Sequence, residues 1–157
     1  MPRAPAEVPL SELRDVAATL AGEFALDLVI LFGSAARRDG GWIEDLDIGV
    51  LARHPLDMVA LTNAWTTRLG VQAVDLTELR RGDWLLLAVV AQDGIVLHER
   101  EPGAFDRFVT YATRRFMDSA KLRDAERDAL RETIRQLVGT VHDGAGGPPR
   151  DAREQTP

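Results

Sequence analysis

Apolar residues recur along this chain with two different periods, and the alternation between them predicts most of the elements. Leu13, Val16, Leu20 and Phe24 fall three or four residues apart, the spacing of one helical face, and Ser11 stands where a hydroxyl can cap the first turn. The next run, Leu26 to Phe32, is almost uniformly apolar and halts at Gly33-Ser34, as expected of a strand covered on both faces. Residues 35–42 read as a short helical turn and a loop carrying Trp42. From Asp45 to Leu51 the period becomes two, with Leu46, Ile48 and Val50 on one face and Asp45, Asp47 and Gly49 on the other. A second strand follows from that alternation.

Pro55 fits a first helical position and Gly70 a C-terminal stop, so the segment between them is expected to be a helix carrying Leu56, Val59, Trp65 and Leu69. A third strand is expected at about Val71 to Leu76. Asp83 can cap the apolar helix WLLLAVVAQ, Gly94 can end it, and Ile95 to Leu97 forms a short fourth strand. Phe105, Phe108, Ala112 and Phe116 share a helical face, and Leu122, Leu130, Ile134 and Leu137 extend the helical region. The order predicts an α/β (α+β) fold, a small mixed sheet flanked by helices with further helices at the C-terminus. By this reading residues 1–10 are a lead, 11–101 the core, 102–142 a C-terminal helical region and 143–157 a disordered tail too poor in apolar surface to fold.

Composition narrows the chemistry. With 157 residues, 45% of them apolar and 28% charged, the chain has the balance of one ordinary globular domain. It has no cysteine, which removes disulfides, thiolate zinc sites and a cysteine nucleophile. The net charge of −6 predicts no long-range attraction to nucleic acid. Lys121 is the only lysine, so no Walker phosphate loop is possible, and GxGxxG, GxSxG and HExxH are all absent. The N-terminus is too charged and Pro-rich for a signal peptide, and no apolar run approaches a membrane span, so a cytoplasmic location is expected.

Three carboxylates and one glycine turn carry the candidate chemistry. Period two places Asp45 and Asp47 on the same side of their strand, roughly 7 Å apart at the backbone, where both can converge on one or two cations. Asp75, in AVDLTEL, is a third carboxylate emerging from an otherwise apolar strand, where an unpartnered charge is costly. All-oxygen donors suit Mg²⁺ or Mn²⁺, which take remaining ligands from water and substrate phosphates. Gly33-Ser34, at the strand-to-helix turn, offers backbone N–H groups, a hydroxyl and close approach to a phosphate chain, and Arg37 can pair with the same phosphates. Ten residues separate Ser34 from Asp45, giving GS, ten residues, then DxD.

The stretch GSAARRDGGWIEDLDIGV resembles the signature of the polymerase-beta-type nucleotidyltransferases, and the short chain is similar to their minimal nucleotidyltransferase (MNT) branch, the antitoxins of HEPN-domain toxins. The likeness spans about residues 11 to 120. It implies a polymerase-beta-like core, two divalent cations (Mg²⁺, with Mn²⁺ as the substitute) on Asp45 and Asp47, and Asp75 as the third carboxylate. It further implies ATP as substrate, with AMP passing to a tyrosine hydroxyl of a cognate HEPN ribonuclease toxin. Arg38 stands where that family usually has glycine, and Glu44 where serine commonly precedes the first aspartate. Two other readings share these residues: a non-catalytic antitoxin that works by binding, and a small-molecule nucleotidyltransferase of the aminoglycoside type.

The remaining candidates have plainer readings. Asp39 and Glu44 are expected to be solvated loop acids, and His54, His98 and His142 lack metal-ligand spacing. Arg123, Arg127, Arg131 and Arg135 form a stripe, but Asp124, Asp128 and Glu132 each stand three residues before an arginine, so local pairing is expected. Trp42 has two open roles, stacking on a base or covering the sheet edge.

Overall fold

The computed structural model describes residues 1–37 and 43–143, without the side chains of 137–143. The loop residues Arg38, Asp39 and Trp42 and the tail from 144 onward, both subjects of sequence expectations, lie outside the described residues. Two compact units are present, Met1–Asp118 and Ser119–Pro157.

In the first unit, four strands, β1 (Leu26–Phe32), β2 (Leu46–Ala52), β3 (Val74–Glu78) and β4 (Ile95–Glu99), form one sheet in the order β3-β2-β1-β4. β1 runs antiparallel to both β2 and β4, while β2 and β3 are parallel, so the sheet is mixed as expected. β1 spans the residues its apolar run predicted, and all but Asp27 are buried because both sheet faces are covered.

The two faces have separate cores. Val29, Leu31, Leu46, Ile48 and Val50 pack under α1 (Leu10–Phe24) and α3 (Met58–Leu69), together with Leu13, Leu20, Leu61 and the fully buried Trp65. On the opposite face Leu28, Ile30 and Phe32 meet Leu79 from a 3₁₀ turn (Leu79–Arg81), Leu87 and Val90 of α4 (Trp84–Asp93), and Phe108 and Ala112 of α5 (Ala104–Asp118). Full burial of an aliphatic side chain contributes roughly 1.5–3 kcal/mol, so these layers fix which way each strand faces. The aspartate side of β2 belongs to the second face, since Asp47 is in register with Phe32 and Gly49 with Ile30.

Several local expectations shift. Pro9, not Ser11, occupies the N-cap of α1, and no side chain caps that end. α3 begins at Met58 rather than Pro55, because the Asp57 carboxylate accepts a hydrogen bond from the Ala60 N–H at 3.0 Å and thereby sets the first turn. That start rotates Val59 outward, 72% exposed, and brings Leu61 inward. β3 starts three residues later than expected; Val71 is buried but precedes the strand. The Asp83 cap on α4 is present, accepting from the Leu86 N–H at 2.8 Å. On α5 the expected face is buried at Phe108 and Ala112, whereas Phe116 is 40% exposed.

The second unit contributes α6 (Ala120–Asp143). Its arginines pair locally as their spacing predicts: Arg127 with Asp124 at 3.8 Å, Arg131 with Asp128 at 3.7 Å, and Arg135 with Glu132. Such exposed pairs are worth little individually. No helix among the described residues is long and apolar enough to cross a membrane.

Candidate active site

β1 ends at Phe32 and the chain turns at once into α2 (Gly33–Arg37). The turn needs φ +68° at Gly33, a left-handed conformation that L side chains rarely adopt. Space demands glycine as strongly. A Cβ on Gly33 would stand 2.1 Å from Asp47 Oδ2 and 3.0 Å from Asp47 Cγ, so the Asp47 carboxylate lies directly over the bare glycine. α2 therefore starts against the acidic side chain, and its first-turn N–H groups have no intrahelical acceptors.

Asp47 is held between two neighbouring strands. It is in register with Phe32 on β1 and with Asp75 on β3, and adjacent strands lie only about 4.8 Å apart. Asp45 immediately precedes β2 on the same side of the alternation. Burial, followed by the charges of Asp45 and Asp75, pushes the Asp47 carboxyl above its usual value, while Arg37 opposes the shift. The three aspartates and Arg37 thus share one electrostatic neighbourhood. Among the described residues, no three acidic, histidine or cysteine side chains are already drawn together as a coordination cage.

The donor set nevertheless fits a hard divalent cation. Its donors are all carboxylate oxygens, and their mutual repulsion at Asp47 is the kind of strain that a bound cation relieves.

One expectation for Asp75 changes. β3 is the edge of the sheet, and Asp75 is exposed there rather than carried into the core. Its charge incurs no burial cost, and its carboxylate is accessible from solvent. Arg37 is also exposed, with its guanidinium 4.0 Å from Asp93 at the end of α4. Asp93 escaped the sequence reading because 55 residues separate it from Arg37 and no pattern links them. Ser34 occupies the second position of α2, partly buried beside Gly33.

Comparison with known proteins bears on the family and the fold. A family model described as "Polymerase beta, Nucleotidyltransferase" matches residues 14–103, a span that includes the glycine turn and all three aspartates. The chain belongs to this family. Among solved structures, a toxin–antitoxin complex with AMP-PNP is 25% identical, covering 77% of this chain and 97% of that one with a TM-score of 0.59. The complex of a tri-AMPylated Shewanella oneidensis HEPN toxin with its MNT antitoxin is 24% identical, covering 80% and 98% with a TM-score of 0.58. A toxin–antitoxin MntA–HepT structure is 24% identical, covering 78% and 96% with a TM-score of 0.56. No curated protein matches significantly. For this nucleotidyltransferase, those likenesses show the polymerase-beta-like fold, a mixed sheet flanked by helices.

Proposed function

We propose that this nucleotidyltransferase transfers AMP from ATP to a tyrosine hydroxyl of a cognate HEPN-domain toxin in the cytoplasm and so acts as an antitoxin. The observation that carries this reading is the Asp47 carboxylate lying over the Gly33 turn, with Asp45 and Asp75 in its field. The solved relatives, one with AMP-PNP and one with an AMPylated toxin, lend it the donor and the acceptor.

In this reading Asp45 and Asp47 hold two Mg²⁺ ions, with Asp75 completing the ligand set. Bound divalent cations supply charge neutralisation along the triphosphate and make phosphoryl-type transfer accessible at neutral pH. The chain's own residues do the rest. Gly33 and Ser34 cradle the outer phosphates through the first turn of α2, and Arg37 exchanges its loose contact with Asp93 for a phosphate oxygen. Asp75 orients the incoming hydroxyl. Its exposure on the edge strand suits an acceptor presented by another protein, which has to arrive from outside the fold. The acceptor oxygen bonds to the α-phosphorus, the bond to the β-phosphate oxygen breaks, pyrophosphate leaves in line, and the hydroxyl proton passes to a carboxylate or to solvent.

The test is stoichiometry and mass. The toxin, treated with a small molar fraction of this protein plus ATP and Mg²⁺ and then separated, is expected to be inactive and heavier by one or more AMP units. Inhibition that needs one copy per toxin, proceeds without ATP and leaves the toxin mass unchanged would establish the non-catalytic antitoxin instead.

A further inference from the structure

The other end of the same sheet face carries a concave surface. Asp47 and Ala52 lie five residues apart on β2, about 17 Å along the strand, and around Ala52 a cavity of ≈ 430 Å³ opens between the strand ends and α5. Four arginines line it, Arg53, Arg80, Arg100 and Arg107, against only two acids, Asp27 and Glu101. In a chain whose net charge is −6, this wall has a local excess of two positive charges.

Much of that cationic capacity is unspent. Arg53 is the most engaged, 3.3 Å from both Asp27 and Glu101. Arg100 shares Asp27 at 3.7 Å, and Arg107 reaches Glu101 only at 3.9 Å. Arg80 donates to the Ala52 carbonyl at 2.7 Å and meets no acid among the described residues. Asp27 Oδ1 is shielded from solvent without a hydrogen bond, so it holds Arg53 and Arg100 by charge alone, while Arg53 Nη2 donates to Glu101 at 3.3 Å. The rest of the lining is apolar and aromatic. Leu28 and the buried Phe108 form the floor, and Tyr111, one turn further along α5, lines the cavity as a residue that is 45% exposed.

We propose that this cavity binds a small organic phosphate with a flat apolar body, the chemistry of a nucleoside monophosphate, at a site separate from the aspartates. A phosphate takes the planar, multi-donor guanidinium groups of Arg80, Arg100 and Arg107, and the flat body lies on Tyr111 over the apolar floor. The volume falls within the range of small-molecule sites. Asp27 and Glu101 are both already paired with arginines of the wall, which outnumber them, so binding needs no metal. Binding at this cavity does not depend on the proposed transfer reaction.

Tyr111 is the only tyrosine in the chain, so a ring-labelled tyrosine gives one residue's NMR signals as a local reporter. The full chain is titrated in EDTA with AMP, adenosine and inorganic phosphate. AMP is expected to shift the Tyr111 signals saturably, with adenosine and phosphate each at least about tenfold weaker because each satisfies half the site. Arg80→Ala and Arg107→Ala are each expected to weaken AMP by about tenfold, the worth of a charge-assisted contact, while Arg14→Ala on the far side of the fold changes nothing. Circular dichroism verifies folding, and Arg100→Gln replaces either variant that does not fold. An unmoved Tyr111, equal binding of AMP and inorganic phosphate, or undiminished binding in the arginine variants would overturn the proposal.

Discussion

Replacing Gly33 by alanine tests the geometry of the candidate site most directly, because the structure separates two costs that usually come together. The first is conformational. Gly33 has φ +68° and Gly70, at the end of α3, has φ +66°, so alanine incurs nearly the same left-handed penalty at both, about 1–2 kcal/mol. The second exists only at Gly33. A Cβ at Gly70 meets nothing within 4 Å, whereas at Gly33 it stands 2.1 Å from Asp47 Oδ2, more than 1 Å inside ordinary contact. Relieving that overlap means moving the carboxylate or the turn, and overpacking of this kind costs about 1–3 kcal/mol more. Urea unfolding is therefore expected to give Gly70→Ala a loss of about 1–2 kcal/mol and Gly33→Ala about 2–5 kcal/mol. Asp47→Ala removes the obstructing oxygens. In that background the excess cost of Gly33→Ala is expected to vanish, leaving a double-mutant coupling of about 1–3 kcal/mol. Transfer activity follows the collision rather than the dihedral: a carboxylate displaced by about 1 Å loses about a hundredfold, while Gly70→Ala stays near wild type. If Gly33→Ala costs no more than Gly70→Ala, or if the excess persists without the Asp47 carboxylate, the placement of Asp47 over the turn is wrong.

Three further outcomes are expected. Because burial and the neighbouring aspartates raise the Asp47 carboxyl, the folded protein holds that proton more tightly than the unfolded chain, and stability falls as pH rises from the ordinary aspartate value through the raised one. Metal-free Asp47→Asn is thus expected to melt higher than wild type at neutral pH, with the gain disappearing below the ordinary aspartate value, while transfer is abolished; a neutral-pH Tm below wild type would contradict the repulsion. Asp75→Asn, altering an exposed carboxylate on an edge strand, is expected to keep ATP affinity by calorimetry and lose turnover, and equal losses of both would remove its role in orienting the acceptor and leave it a structural metal ligand only. Ser34→Ala and Arg37→Ala are expected to weaken ATP by roughly ten- to a hundredfold and adenosine little, since the contacts removed are to charged oxygens; an unchanged ratio of the two affinities would place the phosphates elsewhere.

What the sequence by itself determined was local. The seven-residue apolar run specified β1, the strict alternation placed Asp45 and Asp47 on one side of β2, and Asp83 and Gly94 bracketed α4, because periodicity and capping depend on residues within a few positions of each other. The spacing from Gly33-Ser34 to the two aspartates was equally legible, since one connection joins adjacent antiparallel strands. Tertiary structure decided whatever depends on partners distant in sequence. Asp75 read as a charge in the core until the pairing order made β3 an edge; an apolar flank looks the same on an edge strand and a central one. The meeting of Arg37 with Asp93 rests on the chain's return through α4. The collision that reserves position 33 for glycine requires β1 and β2 in their exact register, and the arginine-lined cavity gathers residues from 27 to 107 that no window along the chain contains. Hydrophobic burial on both faces of the sheet fixes that register, because a one-residue slip would turn Leu46, Ile48 and Val50 out of their core and carry Asp47 away from the turn.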